Sequence, residues 1–296
     1  MALDHRKLCM AFRALRKSLG TLSKEPSVEE IHDLRTRSRR VETIIHALSI
    51  DRKGGGPRLL RAVESIRRKS GKVRDLDVLT GYMASIQSYA DQEYSAQLLN
   101  HLAEQRWRLA RKLCRAVAKS GNDIRRDLRQ CSFRIDRKIG SSKGGLNKVN
   151  KWRVNAAASA LRLLKSLAGR RDLKSGNLHS YRLNLKSLIY LLQLIDHPNA
   201  AFLEALRKAK DVIGEWHDWS ELESTANSLL DRNAARTISG QIHSIASQKL
   251  TQALSITKQM QKQWLDGAGG RGGKADSHHS QLKESLLTSA VLSIVA

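Results

Sequence analysis

The chain has 296 residues, 41% of them hydrophobic, which is enough to bury a core and excludes disorder throughout. Aromatic residues make up only 4% and there are three prolines, while Leu, Ala, Arg and Lys dominate, so the composition favours helices over strands. With 53 Lys and Arg against 28 Asp and Glu, the net charge of +25 exceeds what solubility needs and points to an anionic partner such as nucleic acid, polyphosphate or a lipid surface.

In chain order, residues 5–19 read as a basic amphipathic helix ending near Gly20, with no apolar run of a secretory signal before it. Ser27-Val-Glu-Glu30 is a capping-box pattern that opens a second helix to about residue 50. Asp51 to Gly56 is a turn, and Pro57 suits the first position of a third helix reaching about residue 90. Helical patterns at about 91–119 and 122–138 are separated by Ser120-Gly121. The segment from Gly140 to Gly145 is the best internal linker, and helices resume at about 148–168 and 177–196. Pro198 restarts the chain for helices at about 199–231 and 233–265.

The residues from Gly267 to Ser280 have the composition of a flexible segment, and 281–296 suggest a short terminal helix whose apolar run is too short to span a bilayer. Cys9, Cys114 and Cys131 are scattered and odd in number, with no CxxC or Cys/His cluster. They are expected to be reduced thiols in a cytoplasmic protein, with neither a disulfide framework nor a structural zinc site.

Two segments echo each other. Residues 31–46 carry His32, Arg35 and Arg39, and residues 178–193 carry His179, Arg182 and Lys186 at the same spacing. Positions i, i+3 and i+7 share one helix face. A second echo follows in the same order: Gly71, Asp75 and Leu79 match Gly214, Asp218 and Leu222 at a 143-residue offset. Two motifs repeated in order at similar separations predict an internal duplication.

On a helical wheel, Arg35, Arg39 and His46 lie within about 60° of His32, while Leu34, Val41, Ile44, Ile45 and Leu48 lie on the opposite side. The first basic stripe therefore faces away from its own core, and Arg37 and Arg40 widen it. In the second copy a narrow polar face of His179, Arg182, Lys186 and Gln193 is hemmed in by Tyr181, Leu185, Leu188, Leu191 and Leu192. Arg presents a planar fork of donors to phosphate oxygens, Lys a mobile charge, and His a donor that a phosphate makes cationic. Cations on one face repel each other, and a bound polyanion would relieve that. A solvated charged face accounts for either helix alone; the repetition favours an anion site. The first copy, more open, is expected to carry most of the contacts and the histidines to make binding tighten below about pH 8.

These residues resemble the CHAD family, the conserved histidine α-helical domain. The matching pieces are His32-Asp-Leu-Arg35 with Arg39-Arg40, Arg74-Asp-Leu-Asp77-Val-Leu79, His179-Ser-Tyr-Arg182 with Lys186 and Tyr190, and Ile213-Gly-Glu-Trp-His-Asp218. The resemblance implies an all-α fold of two pseudo-symmetric antiparallel helical bundles, arisen by duplication, around a basic central groove or pore. The bundles would occupy residues 1–140 and 141–266, followed by a tail at 267–296. It also implies binding of inorganic polyphosphate, often at polyphosphate granules. Transferred position by position, the contacts become His32, Arg35, Arg39, Arg40, His179, Arg182 and Lys186, with Arg74 a further one. Asn184 and Ile189 stand where members often carry more basic residues.

No catalytic residue, cofactor or metal is expected. Asp75 and Asp77 fall on different faces of a helix and so do not read as a metal pair, while Asp75 and Asp218 read as groups that orient nearby Arg or His or that cap and pack locally. There is no ExExK, P-loop or HExxH pattern, so turnover of polyphosphate or nucleotides is the lesser reading. Nucleic acid is the stronger rival partner, but Trp107, Trp152, Trp216, Trp219 and Trp264 are spread out, and Trp216 and Trp219 read as core anchors beside Gly214. The sequence sets no oligomeric state.

Overall fold

The computed structural model describes residues 5–49, 55–86, 92–140, 145–194, 198–231 and 235–265. The expected flexible tail at 267–296 lies outside these, as does the middle of the 140–145 linker. The described residues form eight α-helices and no strand: α1 His5–Thr21, α2 Val28–Ala47, α3 Gly56–Ser85, α4 Gln92–Gly140, α5 Gly145–Ala168, α6 Ser175–Leu192, α7 Ala200–Leu229 and α8 Arg236–Trp264.

Local chemistry sets most of the boundaries. At the start of α2, Ser27 Oγ accepts from the Glu30 amide at 3.1 Å, and the Glu30 carboxylate accepts from the Ser27 and Ser23 amides at 2.8 and 3.0 Å. This reciprocal box satisfies orphan donors of the first turn, and the amides hold the Glu30 carboxyl below its usual range. Pro57 lies in the first turn of α3, where its missing N–H costs nothing. Asn199 caps α7 by accepting from the Phe202 amide at 2.9 Å.

One expectation fails. The helices anticipated at 91–119 and 122–138 are a single 49-residue helix, α4. Gly121 is buried inside it, and a methyl there would sit 3.3 Å from Val117 Cγ1. A helix tolerates one such glycine for about 1 kcal/mol when its apolar face, including Leu113, Ile124 and Leu128, is fully packed.

α1 to α4 pack as a bundle, each against the next and α4 back onto α1. α5 packs on α6, α6 on α7 and α7 on α8, while α2 meets α6 and α3 meets α7. The core crosses residue 140 freely: Phe12, Leu34, Ile44 and Leu113 belong to one buried cluster with Leu164, Leu188, Leu206 and Ile213. A second cluster joins Leu79, Met83 and Leu98 to Trp219, Leu222 and Ile242. At that junction Tyr82 and Trp219 stack with centroids 4.7 Å apart and planes within 6°. Trp216 is likewise buried, as its reading as a core anchor required. No helix among the described residues is long and apolar enough to cross a membrane.

Candidate functional site

The wheel's division of α2 holds. Ile31, Leu34, Val41, Ile44 and Ile45 are fully buried, and His32 on the opposite face is exposed. That opposite face is not left to solvent along its whole length, because α6 packs across it. Arg40 reaches over and donates from Nη2 to Gln193 Oε1 at 3.4 Å. Arg39 is largely enclosed; burial, with the charge of Arg67, lowers its pKa. Arg37, expected to widen the stripe, instead turns toward α1, where it donates to Ser18 Oγ at 2.6 Å and pairs with Asp33.

The two repeated motifs meet as arginine over glycine. Arg35 of α2 lies across Gly71 of α3, where a Cβ would be 3.4 Å from Arg35 Nε. Arg182 of α6 lies across Gly214 of α7 more tightly still, with its Nη2 only 2.5 Å from where a Cβ would stand. Gly214 clears space that its arginine occupies, whereas a Cβ at Gly71 would only touch Arg35 at an ordinary distance. A carboxylate one helical turn further on completes each arrangement: Asp75 is 3.4 Å from Arg35, and Asp218 is charge-coupled to Arg182.

Burial makes this cluster electrically costly. Lys186 is largely enclosed, and desolvation, reinforced by Arg182, Arg35, Arg39 and Lys210, pushes its amine down to about 6. Those neighbours come from α2, α6 and α7, so the two stripes share one electrostatic neighbourhood. Burial and the other arginine also lower the pKa of Arg182, while burial raises that of Asp218 despite Arg182 beside it. Arg67 is offset by Glu42 at 2.5 Å and Lys210 by Asp211 at 2.5 Å. Arg39 and Lys186 have no ion-pair partner among the described residues, and they are the centre of the unbalanced charge.

The remaining expected residues sit around that centre. His179 stacks edge-on with His217, centroids 4.6 Å apart. Partial burial first, and then His217, Arg182 and Lys186, lower its pKa, so the expectation that His179 charges at the ordinary imidazole value is corrected: desolvation and the Arg182 guanidinium oppose its charge. Arg74 is half-buried near Tyr82, whose hydroxyl is pushed up to about 12 chiefly by burial. Asp75 and Asp77 diverge, Asp75 to Arg35 and Asp77 to Arg106 at 2.5 Å.

Arg67, Lys210 and His217 were missed from sequence. The signal was present: Arg67 and Lys210 stand four residues before Gly71 and Gly214, and His217 matches Arg74 at the same offset. One group of possible metal ligands exists among the described residues, Glu42, His46 and Glu64, with ligand atoms within 4.8 Å of one another. The Arg67 guanidinium against Glu42 already supplies a positive charge there.

The CHAD domain family model matches residues 8–227. In fold the chain is similar to the crystal structure of the CHAD domain from the plant Ricinus communis. The match has a TM-score of 0.56 at 16% identity and covers 98% of this chain and 92% of that one. Among curated proteins nothing matches.

Proposed function

Since the chain belongs to the CHAD domain family, we propose that it binds inorganic polyphosphate at the cationic cluster of α2, α3, α6 and α7, and does not turn it over. The observation that carries this reading is the enclosed, unbalanced pair Arg39 and Lys186, ringed by Arg35, Arg182 and Lys210. A protein gains no stability from gathering cations where water is scarce. A linear polyanion recovers that cost, because every phosphate brings charge and acceptor oxygens to fixed donors. Arg35, Arg39, Arg40, Arg182 and Lys186 would make the central contacts, with His32, Arg74 and His179 at the margins. Cytoplasmic residence at polyphosphate granules belongs to the same proposal.

Trp216 and Trp219 are buried, so neither offers a stacking platform for nucleobases beside the cluster. Competition at physiological salt between long-chain polyphosphate and single-stranded DNA or RNA tests the choice. Polyphosphate should displace nucleic acid; preferential retention of nucleic acid would overturn the reading. Incubation with Mg²⁺ should leave polyphosphate chain length unchanged, and shortening would reveal an enzyme.

A further inference from the structure

The α1–α4 edge of the first bundle carries a second concentration of charge, distinct from the central cluster. Asn122, Arg125, Arg126 and Arg129 follow the i, i+3, i+4, i+7 spacing along one face of α4. With Arg16 of α1 they line an open cavity of about 630 Å³. Arg125 lies across Gly20 of α1, where a Cβ would be 3.3 Å from its Cζ.

The nearby carboxylates are already committed. Asp123 pairs with Arg126 at 2.8 Å, and Asp127 takes a bidentate grip from Arg58 at 2.7–3.1 Å. Arg125 has only the neutral Asn122 Oδ1 at 3.4 Å, and Arg16 and Arg129 have no ion pair among the described residues. Three uncompensated guanidinium groups around one concavity repel each other. Their planar forks match phosphate oxygens, and an oxyanion with several charges relieves the repulsion. α1 packs only on α2 and α4 among the strongly packed pairs, so this edge does not share a wall with α6 or α7.

We infer that Arg16, Arg125, Arg126 and Arg129, with Asn122, form a second phosphate-binding site that takes a separate stretch of polyphosphate, so that one copy of the protein can join two strands. The identity of the ligand rests on the function proposed above; the existence of a second oxyanion site does not. Two sites on different edges of a bundle make each copy bivalent, and bivalent copies on a multivalent polymer build a network that single-site copies cannot.

Titration calorimetry with a short oligophosphate, too short to reach both sites, separates the two claims. The wild-type chain should bind two equivalents, and R125Q/R129Q one. Light scattering with long-chain polyphosphate should rise for the wild type and stay low for R125Q/R129Q; the charge-reversed R125E/R129E should behave likewise. One equivalent in the wild type, unchanged in R125Q/R129Q, would overturn the second site and leave the central one standing. Binding that survives R39Q/K186M but vanishes in R125Q/R129Q would do the reverse. No oligophosphate binding by the wild type would sink both.

Discussion

Replacing Gly214 by alanine puts a methyl carbon 2.5 Å from Arg182 Nη2, 2.9 Å from Nε and 3.0 Å from Cζ. The guanidinium must leave. Its Nε then loses the Lys210 carbonyl, at 3.4 Å, and Asp218 loses the positive charge that opposes its desolvation. Alanine in a helix gains about 1 kcal/mol over glycine. Losing interactions of a charged group costs about 1.5–3 kcal/mol. The net is a loss of about 0.5–2 kcal/mol, or a fall in Tm of roughly 1–3 °C. Polyphosphate affinity should drop about tenfold through the misplaced arginine, equivalent to about 1.4 kcal/mol. Gly71→Ala is the control, because its Cβ meets only Arg35 Nε at an ordinary 3.4 Å. It should keep affinity and gain up to about 1 kcal/mol. Thermal melts and calorimetry on both variants decide the matter. A Gly214→Ala protein that melts at or above the wild-type temperature and binds equally well would refute the reasoning.

Lys186→Met should stabilise the ligand-free chain by about 1–3 kcal/mol in urea titrations, since it removes an amine that gives up its proton on folding among like charges, while weakening polyphosphate binding. Lys186 also sets a pH dependence. Its folded amine is held at about 6 against an ordinary 10.5, so between those values the unfolded chain binds a proton that the folded one does not. Stability of the ligand-free protein should therefore rise with pH across that window. Bound phosphate favours the charged amine, so affinity should fall as pH rises above 6, by up to about tenfold per unit, and Lys186→Met should flatten both profiles. Trp219→Ala, which empties the stack on Tyr82, should cost about 3–5 kcal/mol and quench the difference in tryptophan fluorescence between folded and unfolded protein.

The helices were legible because their signals are local. The Ser27–Glu30 box, Pro57 and Asn199 act within one turn, and the apolar stripe of α2 needs no partner to be seen. Gly121 misled because a glycine marks a helix end only when nothing beyond it is packed; Ile124 and Leu128 continue the buried face. The cationic stripe could be placed on a helix face from spacing alone. What covers that face could not, since Arg39 meets Arg67 of α3 and Tyr190 of α6, and Lys186 meets α2 and α7, only in the folded chain. For the same reason the histidines looked like the pH-sensitive groups. A reference pKa is a property of the residue, whereas the shift at Lys186 is a property of its neighbours.

The core that crosses residue 140 restricts how anything reaches the cluster. Leu34 and Val41 of α2 share one apolar body with Leu178, Leu185 and Ile213, so swinging the halves apart would wet that surface. A jaw-like closure on a ligand is therefore too expensive to be the route of entry. The donors stand at fixed positions in the ligand-free chain, and a polyanion bound as proposed would have to thread into the seam rather than be grasped. Entry is then limited by how fast the positive field draws in a strand and lets it slide, so that raising salt should slow capture more than it hastens escape.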